Sequence, residues 1–216
     1  MFNVCPGCGA YSDEKIVRNG NVAVCQSCSH EHQFVAKPLL IVTGSSGSGK
    51  TAVALRLASK LTNCVCLESD ILWRDEFNKP DDDYKEYRNL WLRVAKNISQ
   101  CGRPVVLFGS AVPDQFERCA ESRYFSSIHY LALVCEEQKL IERLRARPLW
   151  RESASDEFLP AFVNFNRTLI EDAPRDYPAM RILDTSSISL EESCAATANW
   201  IEEVLSKTET KKAGVR

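Results

Sequence analysis

Gly44-Ser45-Ser46-Gly47-Ser48-Gly49-Lys50-Thr51 sets glycines, a lysine and a hydroxyl in the spacing G-x-x-x-x-G-K-[ST]. A run of this kind can wrap a di- or triphosphate, because glycines tolerate the tight turn and leave backbone N–H groups uncovered. Lys50 would reach the outer phosphates, and the Thr51 hydroxyl would sit on Mg²⁺. The stretch is therefore expected to bind a nucleoside polyphosphate, ATP or GTP, together with magnesium. A second group has different chemistry. Cys5, Cys8, Cys25 and Cys28 form a C-x2-C-x16-C-x2-C array, the spacing of a four-thiolate zinc site. A redox dithiol pair or disulfides are the alternatives for these four. His30 and His32 follow closely, but four thiolates already close a tetrahedral shell, so they are not counted as ligands.

Each group needs elements to position it. Leu39-Leu40-Ile41-Val42-Thr43 is a short apolar run that reads as a buried strand entering the phosphate loop. Val53, Ala54, Leu57, Ala58 and Leu61 then recur at helical spacing, so the loop hands its phosphate to a helix N-terminus. Between the cysteine pairs, Asn19-Gly20 is a hairpin signal flanked by Lys15-Ile16-Val17 and Val22-Ala23-Val24. A zinc ribbon over residues 1–37 accounts for both, and so short a segment needs a metal staple.

The chain has 216 residues, 44% hydrophobic and 26% charged, which allows one sizeable α/β domain plus a small module. A net charge of −2 gives no overall pull toward nucleic acid. Within the ribbon, Lys15, Arg18 and Lys37 are balanced by Asp13, Glu14 and Glu31, so nucleic acid is not the expected partner. No apolar run reaches membrane-spanning length and the first residues lack signal-peptide regions, so a cytoplasmic address without membrane contact is expected. Docking of another protein through the ribbon stays open. The six cysteines outside the array read as small buried hydrophobes.

Further strands are expected at Cys64–Leu67, Val105–Phe108, Ile128–Leu133 and Arg181–Asp184. With the first strand they predict a parallel five-stranded sheet covered by helices on both faces, a three-layer α/β sandwich over residues 38–206. Asp70 follows the Cys64–Leu67 strand, and the carboxyl ends of parallel strands line the ligand crevice. Asp81-Asp82-Asp83 reads as the start of a helix that Gly102 stops. Trp73 can stack on a ring or anchor the core. No carboxylate closes the Val105–Phe108 strand, where many P-loop ATPases keep one for Mg²⁺. Arg143 and Arg147 share a helix face that Pro148 ends, and Arg151 lies beyond. A lid near 148–166 would bring these cations onto phosphates; an ordinary charged helix paired through Glu137 and Glu142 is the other reading. Ser189-x-x-Glu192 is a capping box for a closing helix, and residues 207–216 read as a polar tail.

Gly44–Thr51, Asp70, Arg143-x-x-x-Arg147 and the Asp184-Thr185-Ser186 turn together resemble the P-loop small-molecule kinases of the adenylate-kinase-like branch, which includes gluconate, shikimate and chloramphenicol kinases. With the ribbon, the chain is similar to bacterial zinc-ribbon-plus-kinase proteins often labelled AAA-family ATPases or nucleoside kinases. The resemblance implies a P-loop phosphotransferase in which Lys50 neutralises the β/γ-phosphates and Thr51 ligates Mg²⁺. It implies that Arg143 and Arg147 sandwich the adenine and contact phosphate, with Thr185 and Ser186 bordering the nucleotide. It also makes Arg147 and Arg151 cations on the transferring phosphoryl group and Asp70 the base for an acceptor hydroxyl. Nucleotide kinases carry arginines that clamp an acceptor phosphate; Arg74, Arg88 and Arg93 give no matching arrangement. Two other functions fit the residues: a nucleic-acid-end kinase gripping through the ribbon, and a non-catalytic nucleotide-dependent regulator.

Overall fold

The computed structural model describes residues 3–12, 15–148 and 155–213, with side chains to residue 208. Three short strands make the ribbon: β1 (Ile16–Arg18), β2 (Val22–Val24) and β3 (Glu31–Gln33), antiparallel in the order β1-β2-β3. Ile16 faces Val24 and Arg18 faces Val22 across the hairpin. Asn19 and Gly20 turn it at φ 51 and 71, the left-handed region that Asn-Gly supplies at low cost.

The main sheet has five parallel strands in the order β5-β6-β4-β7-β8: β4 (Leu39–Gly44), β5 (Val65–Glu68), β6 (Val105–Phe108), β7 (Ile128–Val134) and β8 (Arg181–Asp184). The expected sheet is therefore the observed one. Every residue of β4 is buried, as a central strand covered on both faces requires. On one face, α1 (Lys50–Ala58) and α7 (Leu190–Ala213) bury Val53, Leu57, Trp200 and Ile201 against Leu40, Val42, Val106 and Leu131. On the other, α2 (Lys85–Ser99) and α5 (Leu159–Glu171) bring Trp91, Leu92 and Leu169 to Leu39, Ile41 and Leu107. The short helices α3 (Pro113–Glu117) and α6 (Ala173–Asp176), with α4 (Glu137–Arg145), complete the connections.

Several boundaries differ from expectation, among them β5, which is shifted by one residue from Cys64–Leu67 so that Glu68 closes the strand. The acidic triplet does not open α2: Pro80–Asp82 form a 3-10 turn, Asp83 and Tyr84 both sit at φ 57, and α2 starts at Lys85. Asp82 still caps it, its Oδ1 accepting the Lys85 N–H at 3.3 Å. Helix α4 ends at Arg145 rather than Arg147. The Arg147 N–H turns tightly onto the Leu144 carbonyl at 3.1 Å, because Pro148 denies Arg147 the helical conformation. The polar tail is helical to Ala213, supported by Glu203–Lys207 at 2.6 Å one turn apart. The capping box forms as expected, with the Ser189 N–H on Glu192 at 2.7 Å and the Glu192 N–H on Ser189 Oγ at 3.2 Å.

The ribbon is bound to the main domain by both ring contacts and polar ones. Phe34 meets Tyr124 edge-on with centroids 5.5 Å apart. Gln100 at the end of α2 donates to the Val35 carbonyl at 3.3 Å and accepts the Val35 N–H at 2.9 Å. Arg123 donates to the Lys15 carbonyl at 3.1 Å, and Asn3 donates to Glu121 at 3.1 Å.

Candidate active site

The Gly44–Thr51 loop joins β4 to α1, and its backbone explains its composition. Gly44, Gly47 and Gly49 stand at φ 149, 88 and 104, where a side chain is strained. A Cβ on Gly44 would lie 2.4 Å from the Leu133 carbonyl oxygen and 2.5 Å from Ser48 Oγ. The first N–H groups of α1 have no helical partner, as in any helix. Ser48 Oγ is buried with no hydrogen-bond partner among the described residues. A bare glycine cradle at a helix N-terminus is the donor set a polyphosphate needs, so the residues fit that group.

Lys50 is folded onto the loop, donating to the Gly44 carbonyl at 2.7 Å and the Ser45 carbonyl at 2.9 Å. Burial pulls its pKa down to about 8; Arg147 adds to the fall, while Asp70 and Glu68 oppose it. Ser45 Oγ donates to the Phe162 carbonyl at 2.7 Å, which fixes α5 to the loop. Ser110 Oγ donates to the Gly44 carbonyl at 2.8 Å.

Thr51 donates to Glu68, the last residue of β5. Sequence alone leaves Glu68 unassigned and places no carboxylate at the end of β6. In the sheet Glu68 pairs in register with Phe108, so the carboxylate stands at that level one strand over. A hydroxyl and a carboxylate oxygen side by side are hard donors suited to Mg²⁺. The signal in the sequence is Glu68-x-Asp70, two acids flanking the end of a strand; only the register gives Glu68 its place.

Asp70 is exposed in the Ser69–Leu72 turn that follows β5. Three contacts hold this turn: Tyr87 Oη donates to the Ser69 carbonyl at 2.5 Å, Trp91 Nε1 donates to it at 3.1 Å, and Gly109 lies against Ser69. A Cβ on Gly109 would fall 2.2 Å from Ser69 Oγ. Gly109→Ala is expected to push the turn outward. Once an acceptor is known, turnover should fall at least about tenfold while nucleotide affinity stays within about twofold. Equal loss of both, by calorimetry and steady-state kinetics, would contradict that placement.

One cleft of about 490 Å³ is lined by Lys50, Thr51, Glu68, Asp70, Arg143 and Arg147, together with the loop residues Ser46, Gly47 and Gly49. Arg143 reaches it while bonded to Thr185, at 3.0 Å to Oγ1 and 2.8 Å to the carbonyl. Thr185 and Ser186 do not line the cleft. Thr185 Oγ1 bridges to the Ser48 carbonyl at 3.3 Å and the Val134 carbonyl at 3.0 Å, while Ser186 Oγ accepts the Glu136 N–H at 2.7 Å. Thr185 thus backs the phosphate loop at Ser48, while Ser186 is tied to the start of α4. Arg151 lies outside the described residues. From Leu159 on, the expected lid segment is helix α5, where Asn166 clasps both the N–H (3.2 Å) and the carbonyl (2.7 Å) of Cys135.

Of the arginines weighed as clamps for an acceptor phosphate, Arg93 pairs with Glu121 at 3.3 Å, and Arg74 makes an exposed pair with Glu76 at 3.7 Å. The buried Arg88 donates to the Ser110 carbonyl at 2.8 Å and to Gln115 at 3.2 Å, with its guanidinium against Tyr84, Tyr87 and Phe116. Trp73 keeps one side exposed and meets Tyr87 edge-on at 5.1 Å.

The ribbon brings its four cysteine sulfurs within 4.8 Å of one another. The N–H groups of Ser27 and Cys28 pull Cys25 down to about 6, and the Gly7 N–H points at Cys5 Sγ at 3.3 Å. Thiolate-favouring amides around four converging sulfurs fit a zinc ion.

Residues 40–159 match the family model AAA_18, described as an AAA domain. The chain belongs to this family. No curated protein matches it in sequence. Among solved structures, a gluconokinase from Sinorhizobium meliloti 1021 is similar, with TM-score 0.55 and 20% identity over 83% of this chain and 99% of its own. A sugar kinase from Janibacter sp. HTCC2649 is similar with TM-score 0.54 and 18% identity, over 77% of this chain and 95% of its own. The AAA_18 chain thus has the fold of P-loop small-molecule kinases. Among its described residues no helix is long and apolar enough to cross a membrane.

Proposed function

We propose that the protein is an ATP- and Mg²⁺-dependent kinase that phosphorylates a hydroxyl of a small metabolite. The observation that carries this reading is the single cleft uniting Lys50, the Thr51–Glu68 pair, Asp70 and Arg143 with Arg147. When bound, ATP supplies the phosphoryl group and magnesium the charge that screens it. The chain's own work is positioning and neutralisation. The loop amides and Lys50 hold the polyphosphate, Thr51 and Glu68 hold the metal, and Arg147 brings a second cation to the same cleft, with Arg151 as its companion from the lid. Asp70 takes the proton of the acceptor hydroxyl. The engagement of Arg88 and Arg93 elsewhere supports a hydroxyl over a phosphate acceptor. Zinc, held by Cys5, Cys8, Cys25 and Cys28, has a structural role. None of the ten cysteines is joined in a disulfide, which supports a cytoplasmic setting.

The test is label transfer from γ-labelled ATP to pooled nucleosides, nucleotides, sugars and a 5′-hydroxyl oligonucleotide. Asp70→Asn is expected to cut transfer to one small-molecule pool at least about a hundredfold. Transfer that ignores Asp70 would point to a phosphate acceptor and remove its role as base. Label on the oligonucleotide alone would favour the nucleic-acid-end reaction.

A further inference from the structure

The contacts between the ribbon and the main domain converge on one buried carboxylate. Glu121 is 1% exposed and accepts from Asn3 of the ribbon (3.1 Å) and from Lys96 and Arg93 of α2. Lys96 is fully buried, with its ammonium 4.3 Å from the Tyr124 ring centroid. Tyr124 is the same ring that Phe34 of the ribbon meets edge-on. The Gln100–Val35 pair fastens the far end of α2 to the ribbon as well. An isolated carboxylate and ammonium would not be buried here, since each needs the other and further donors to offset lost hydration. The ribbon therefore completes the environment that holds the C-terminal half of α2.

The N-terminal half of the same helix has a different task. Tyr87 and Trp91 both donate to the Ser69 carbonyl, at 2.5 Å and 3.1 Å, and so fix the turn that carries Asp70. A helix transmits displacement along its axis as a rigid element, so a shift at Lys96 is felt at Trp91 and Tyr87, about one and a half and two and a half turns away. The phosphate loop has further supports in β4, β7 and α5, and α2 reaches it through Arg88, which donates to the carbonyl of the same Ser110 whose hydroxyl meets Gly44.

We propose that the ribbon is a positioning element for the acceptor half of the cleft: Asn3 and Val35 set α2 through Glu121 and Gln100, and α2 sets the Asp70 turn. The cysteine cluster, two residues from Asn3, makes this arrangement dependent on the metal. Its consequence for phosphoryl transfer rests on the kinase reading, whereas the mechanical coupling does not.

Hydrogen exchange on the full-length chain tests it without any substrate. Asn3→Ala with Gln100→Ala removes two ribbon contacts and leaves the cysteines and the Lys96–Glu121 pair in place. Exchange over 85–99 and 69–72 is expected to rise at least about tenfold, with β4 and α1 amides unchanged. Removing the metal from the wild-type protein with a chelator should give the same pattern. Affinity for a non-hydrolysable ATP analogue, by calorimetry, should stay within about twofold. Unchanged exchange in α2 and the turn would overturn the proposal and leave the ribbon an independent appendage. An equal rise in β4 and α1 would also overturn it, since the ribbon would then support the whole fold. If the coupling appears but no acceptor is ever phosphorylated, the kinase reading fails and the positioning role stands.

Discussion

Lys50→Ala is expected to lower phosphoryl transfer about a thousandfold or more with the fold intact. The ammonium is the charge closest to the loop backbone, held at the Gly44 and Ser45 carbonyls, and no neighbouring cation among the described residues occupies that position. Arg147 lines the same cleft but enters from the end of α4. The wild type should carry a pH signature that the variant lacks. Burial holds Lys50 at about 8 in the free protein, and a polyphosphate favours its charged form. Nucleotide affinity should thus be full below pH 8 and fall by up to about tenfold per unit above it, until the raised pKa of the complex is reached. Stability of the free protein moves the other way. Between about 8 and the ordinary 10.5 the unfolded chain binds more protons at this site, so the Lys50 contribution to stability rises with pH across that window. Calorimetric titration from pH 7 to 9.5 measures the affinity arm. A flat profile, or a Lys50→Ala protein that transfers label at a tenth of the wild-type rate, would exclude Lys50 as the cation that neutralises the outer phosphates.

Glu121→Gln is expected to be the most destabilising single change outside the cleft, at about 3–5 kcal/mol. The amide keeps the size and some hydrogen bonds of the carboxylate but removes the negative charge that faces the fully buried Lys96 ammonium. Arg93 also loses this counter-charge, at a lower cost because it is one-third exposed. For a chain of this length the loss corresponds to a fall in Tm of about 6–20 °C. Adding Lys96→Met should recover much of it, because an apolar side chain needs no counter-charge and sits well against Tyr124. Scanning calorimetry on the two single variants and the double variant gives the coupling directly. A single-variant loss below about 1 kcal/mol would mean that water reaches the pair and that the junction between ribbon and α2 is not dry.

Glycines, a lysine and a threonine in fixed order determine a phosphate cradle locally, since the conformation and its donors lie within eight consecutive residues. The four cysteines likewise carry their ligand identity in their spacing, and the Asn19-Gly20 hairpin that joins the pairs forms as its turn chemistry requires. Apolar runs of strand length, alternating with helical periodicity, are enough for the five parallel strands, because a strand buried on both faces has no polar alternation to obscure it.

Tertiary structure alone decides what depends on register and on distant partners. Glu68 becomes a companion of Thr51 only when β5 pairs with β6 and sets it level with Phe108. Thr185, adjacent in sequence to a strand end, backs the phosphate loop, because Arg143 and the Ser48 carbonyl claim it, while Ser186 is taken by Glu136 and Lys139. Lys96 and Glu121 are twenty-five positions apart and each alone reads as a surface charge; only the assembled fold removes both from water. Local sequence determines conformations whose donors and acceptors are close along the chain. Which carboxylate meets which cation is determined by burial, and burial belongs to the assembled fold.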